Sequence, residues 1–77
     1  MISLGYGNLV SPNRVLSILS PASSPVKKSI RDAREKGTLI DATCGKLTRA
    51  VLYLDSGHLV VAAILPETIA ARMEEKK

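Results

Sequence analysis

The sequence predicts an α+β fold in which a small antiparallel sheet carries a central helix and a short C-terminal helix, all in one domain spanning residues 1–77. Three observations carry that prediction. Short runs rich in Val, Ile and Leu alternate with breaks containing Gly, Pro, Asn or Ser, as strands joined by turns do. Between Pro25 and Gly37 the apolar spacing changes to i, i+4, i+7, the period of a helix with one buried stripe. A second Pro-initiated stretch from Pro66 carries the apolar i, i+4 pair Ile69 and Met73, enough for a short docking helix.

Taken in order, Ile2-Ser3-Leu4 and Leu9-Val10 flank Gly5-Tyr6-Gly7-Asn8, which reads as a turn or bulge. It is half of a dinucleotide fingerprint, lacking the third glycine and the following helix, so plain turn chemistry is the stronger reading. Ser11-Pro12-Asn13 breaks the run, and Arg14 stands at the entrance of the next strand, Val15 to Leu19. Ser20 to Pro25 links into the helix, with Ser24 the expected N-cap, Pro25 the first helical residue and Gly37 the stop. Val26, Ile30 and Ala33 form its core stripe; Lys27, Arg31 and Arg34 repeat that spacing one residue round as a basic ridge.

Gly37 to Leu65 is the stretch around which the chain is organised. It reads as a three-stranded meander of Leu39-Ile40, Ala50–Leu54 and Leu59–Leu65, with Asp55-Ser56-Gly57-His58 as a hairpin turn and Cys44 to Thr48 as a longer loop. Alternate residues of a strand face opposite ways, yet Val51-Leu52-Tyr53-Leu54 and Leu59 to Ile64 are apolar in both sets. Both sheet faces must be covered. The tail Glu74-Glu75-Lys76-Lys77 has no apolar content and is expected to fray.

A chain of 77 residues has a marginal core. Cys44 is the single cysteine, so no intrachain disulfide forms, and Phe and Trp are absent. Oligomerisation is the expected remedy. No apolar run approaches the roughly 18 residues of a membrane span, and the start lacks a signal-peptide pattern, so a cytoplasmic protein is expected. Up to Arg49 there are eight Lys or Arg against three Asp or Glu, a charge of +5; beyond it, three against four leaves −1. That asymmetry fits either a polyanionic partner or a solvated basic surface.

One His and one Cys in separate places do not make a metal site, and no metal, cofactor or small-molecule substrate is expected. His58 reads as a turn residue and Cys44 as a small residue beside a turn, while Asp41 and Asp55, at the ends of neighbouring runs, fit a carboxylate pair and plain polar strand ends equally well. An enzyme is therefore the least favoured class. The cations remain: Arg14, Lys46 and Arg49 around strand ends and the glycine loop, and the ridge of Lys27, Arg31 and Arg34, which is either a solvated helix face or a phosphate contact. Double-stranded DNA is the favoured partner, because no aromatic series is available to stack single-stranded bases. The rivals are a basic RNA-binding or ribosome-associated oligomeric module and a purely structural oligomer.

The ordered blocks Gly5-Tyr6-Gly7-Asn8, Asn13-Arg14, Ser24-Pro25 with Lys27, Ala33-Arg34, Gly37 with Leu39 to Thr43, Gly45, Thr48 to Val51, Asp55-Ser56 with His58, and Pro66-Glu67-Thr68 resemble the bacterial RemA family, regulators of extracellular matrix genes. The resemblance covers nearly the whole chain. It implies a small α+β protein that assembles into a homo-oligomeric ring and binds DNA around its rim, activating biofilm-matrix and osmoprotection genes. It also implies DNA contacts at Arg14 and at two adjacent cations after the loop glycine. The first of these is Lys46, which lacks the bidentate fork of Arg; the second position holds Leu47, so that contact is absent or moved to Arg49.

Overall fold

A computed structural model describes Met1 to Glu74, and of the tail expected to fray, Glu75, Lys76 and Lys77 lie outside the described residues. The chain opens with a hairpin of β1 (Ile2–Gly5) and β2 (Asn8–Val10). Tyr6 and Gly7 both have positive φ, 55° and 81°, which is the demand of a type I′ turn and explains why glycine recurs there. A single 3-10 turn, Pro12–Arg14, then delivers Arg14 to the start of β3 (Val15–Leu19).

Helix α1 (Ser24–Lys36) is capped one residue earlier than the sequence suggests. Ser23 has the extended backbone of an N-cap and its Oγ accepts from the Val26 N–H at 3.4 Å, so Ser24 is the first helical residue and Pro25 the second. Pro is tolerated there because the first helical N–H groups have no intrahelical acceptor. Gly37 closes the helix at φ 77°, with the Thr38 N–H reaching back to the Ala33 carbonyl at 2.9 Å.

The remaining elements are β4 (Leu39–Ala42), β5 (Ala50–Leu54), β6 (Leu59–Ala62) and α2 (Pro66–Glu74). Strands β5 and β6 form the expected hairpin, with Gly57 at φ 89° and the Leu54 N–H donating to the His58 carbonyl at 3.0 Å. The meander is not formed. The four-stranded order is β3-β5-β6-β4, and β4 pairs with β6 in parallel, so the sheet is mixed rather than antiparallel. The cause is α1: it carries the chain from the end of β3 back over the sheet, so β4 enters in the same direction as β3 and beyond β6. Residues 43–49 then arch across the end of β6, because Ala42 and Ala50 are both partners of Ala62. β6 also stops at Ala62, short of Leu65.

One sheet face, Ala42, Ala50, Leu52, Val60 and Ala62, packs against Ile2, Leu4 and Val10 of the hairpin and Ile69 of α2. The other, Val51, Leu59 and Val61, packs against Val26 and Ala33 of α1, with Ile30, Leu39 and Tyr53 at its margin. Both faces are covered, as the strand pattern requires. The chain covers them itself, however, so the faces do not call for a second copy. What stays open is the two edge strands, β3 and β4.

Candidate nucleic-acid interface

All six candidate cations are exposed, and the topology sorts them into three places. Arg14 lies beside the C-terminal end of β5, where its carbonyl accepts from the Asp55 N–H at 2.9 Å. Its Nη1 also donates to the Asp55 Oδ2 at 3.2 Å. Lys46 and Arg49 belong to the loop before β5, at the opposite end of that strand. Five strand residues at about 3.3 Å each put roughly 17 Å between the two groups. The structure thus brings Lys46 and Arg49 together and holds Arg14 apart from them.

The loop that carries Lys46 and Arg49 is built rather than slack. Cys44 and Gly45 both have positive φ, 54° and 81°, and the Lys46 N–H donates to the Thr43 carbonyl at 3.0 Å, closing a tight turn. On one side Asp41 Oδ1 accepts from the Thr43 hydroxyl at 2.6 Å and from its N–H at 2.8 Å. On the other the Arg49 N–H donates to the Ala62 carbonyl at 2.7 Å. Both flanks are anchored, while the side chains of Lys46 and Arg49 point to solvent.

The Thr43 hydroxyl, then its N–H, hold the Asp41 carboxyl below its ordinary value of 3.8; burial opposes them, and the Arg34 charge adds a lesser push in their direction. A lowered folded-state pKa contributes stability that is complete above the unfolded value and is lost as pH falls through the lowered one. Acidification below pH 4, roughly, should therefore loosen the Thr43 turn, seen as faster amide exchange at Thr43. Asp41→Asn should remove that pH dependence.

Lys27, Arg31 and Arg34 lie along α1, which runs from the Lys46–Arg49 end of the sheet back toward the Arg14 end. Arg34 is near enough to Asp41 to bear on its ionisation, so the ridge flanks the β4 side. Asp41 and Asp55 have separate partners, Thr43 and Arg14, and do not form a carboxylate pair. His58 Nδ1 lies 2.8 Å from Ser56 Oγ within its own turn, and Cys44 is a free, exposed thiol. Among the described residues no His, Cys, Asp or Glu cluster could hold a metal ion, and no helix is long and apolar enough to cross a membrane. The Arg14–Asp55 pair is the feature missed in the sequence, where 41 residues separate its members. Its signal is indirect: Arg14 precedes β3, Asp55 follows β5, and antiparallel pairing of those strands makes them neighbours.

Residues 1–73 match the family described as RemA-like, Extracellular matrix regulatory protein A-like. The chain belongs to the RemA-like family. It is 51% identical to Extracellular matrix regulatory protein A of Bacillus subtilis over 77 residues, all of this chain and 86% of that protein. A Cyanothece relative is 58% identical over 72 residues, 94% of this chain and 79% of its own length. One from Gloeothece citriformis is 56% identical over 77 residues, all of this chain and 88% of its own. Both are provisionally named as regulatory proteins. Within this RemA-like chain Leu47 is 71% exposed, so a cation at that position would be presented outward beside Lys46.

Proposed function

We propose that this chain is a DNA-binding transcriptional regulator, acting in the cytoplasm as a homo-oligomeric ring and activating extracellular-matrix, biofilm and osmoprotection genes. The observation that carries the proposal is the disposition of Arg14, Lys46, Arg49, Lys27, Arg31 and Arg34: all are exposed, and among the described residues only Arg14 has an acidic partner within ion-pair distance. Exposed Lys and Arg are what a phosphate backbone attracts, and the name of the Bacillus subtilis relative supports a regulatory role.

Assembly is supported by the edges rather than the faces. β3 and β4 run in the same direction on opposite sides of the sheet, and both show apolar side chains to solvent, Leu16 at 72% and Leu19 on β3 and Ile40 on β4. Unprotected edges of this kind pair with other chains, and a head-to-tail contact that repeats by rotation closes a ring. The subunits would then array the same few cations many times along one duplex.

The test of the reading is a comparison of duplex DNA with structured RNA of equal charge, at matched salt, on protein whose mass is measured by light scattering. A several-subunit mass with preference for the duplex supports it. Leu47→Arg refines it: adding a phosphate contact per subunit should tighten duplex binding and steepen the salt slope by about 0.9 for each engaged subunit.

A further inference from the structure

We infer that Asp55 is a counter-charge that holds down the phosphate affinity of Arg14; the inference rests on reading Arg14 as a DNA contact. Arg14–Asp55 is the one ion pair among the described residues, and it falls on a candidate contact rather than on a structural cation. The two residues are also joined through the backbone. The Asp55 N–H donates to the Arg14 carbonyl at 2.9 Å, so the two main chains lie side by side and the carboxylate is rooted next to the guanidinium.

The contact is made by Nη1 alone, at 3.2 Å, and the Arg14 side chain remains 69% exposed. The Nε–Nη2 edge, which carries two parallel donors, is therefore open to a phosphate while Asp55 stays in place. A phosphate seated there lies roughly 6 Å from the carboxylate, and like charges at that separation near a protein surface oppose binding by about fivefold per site. The contrary effect, pre-ordering of the Arg14 side chain, is small for an exposed single-nitrogen pair, roughly twofold at most. Repulsion wins.

The consequence is that Arg14 contributes little against an isolated phosphate and more where several subunits engage one duplex. Asp55→Asn keeps the size of the residue and an acceptor for Nη1 while removing the charge, and Asp55→Ser, another turn residue, is a second route to the same change. Full-length wild type, both Asp55 variants, Arg14→Ala and the double variant Arg14→Ala/Asp55→Asn should be titrated with a long duplex at several salt concentrations, with mass and circular dichroism checked for each.

The expected result is that both Asp55 variants bind several-fold more tightly with a steeper salt slope, and that the gain shrinks to less than half in the Arg14→Ala background. Folded Asp55 variants that bind as wild type or more weakly would overturn the inference, as would a gain that persists in full without Arg14. If Arg14→Ala alone left duplex binding unchanged, the reading of Arg14 as a contact would fail, and the inference with it.

Discussion

Leu52→Asp should leave no folded subunit. Leu52 is completely buried on the sheet face that receives Ile2, Leu4, Val10 and Ile69, and no cation lies in that cluster to pair with a new carboxylate. Losing the Leu side chain from a packed core costs about 2 to 5 kcal/mol, and burying an unpaired acid adds several more. A domain of this length has, at about 0.05 to 0.15 kcal/mol per residue, roughly 4 to 12 kcal/mol in total. The loss equals the whole. Val61→Asp makes the same test on the α1 face, where Val61 is buried with Val26 and Ala33. Circular dichroism should show no cooperative thermal transition for either variant, while Lys28→Ala on the exposed side of α1 should melt as wild type. A cooperative melt near the wild-type temperature for Leu52→Asp would contradict the assignment of that face.

Arg14→Ala should weaken duplex binding by about a hundredfold or more without altering fold or mass. One charge-assisted contact to a phosphate is worth about 1.5 to 3 kcal/mol in favourable geometry, and less when exposed. The factor compounds across engaged subunits, because once one is bound its neighbours meet the same duplex at high effective concentration. In the proposed ring, continuous engagement would also require the duplex to bend, so readily deformed sequences should be preferred even where no base edge is read. The cost of Arg14→Ala should accordingly be much larger on a long duplex than on a short one. Gel-shift or fluorescence titrations of the two lengths provide the comparison, and equal losses on both would argue against repeated engagement.

The elements were legible because each has a local cause. The Gly-rich turns at Gly5 to Asn8 and Asp55 to His58 need positive φ, and α1 is bounded by Ser, Pro and Gly in positions that backbone chemistry favours. The topology was not legible in the same way. Whether β4 lies beside β5 or beyond β6 depends on how α1 crosses the sheet, and nothing in Leu39 to Ala42 distinguishes an antiparallel neighbour from a parallel one. The placement of Ser23 rather than Ser24 as N-cap turned on one residue in a run of two serines that are equally good caps.

The doubly apolar strands imply cover on both faces, and that cover comes from the N-terminal hairpin, α1 and α2 of the same chain. Ile2, Leu4 and Val10 look like too little material until the β1–β2 hairpin folds them onto one face together with Ile69. For the candidate site, the identity of the exposed cations was available from the sequence. Their separation along β5, and the pairing of Arg14 with Asp55, required the strand register.

The most direct test of the central claim is the dependence of duplex affinity on salt, measured for a short and a long duplex with the same preparation of known mass. Repeated phosphate contacts predict a linear fall of log K with log salt concentration, with a slope of about −0.9 per neutralised phosphate, that is several units steeper on the long duplex. The long duplex should also bind about 10² to 10⁴ times more tightly. A salt slope near zero, or equal affinity and slope on both lengths, would contradict a regulator that holds DNA through an array of exposed cations.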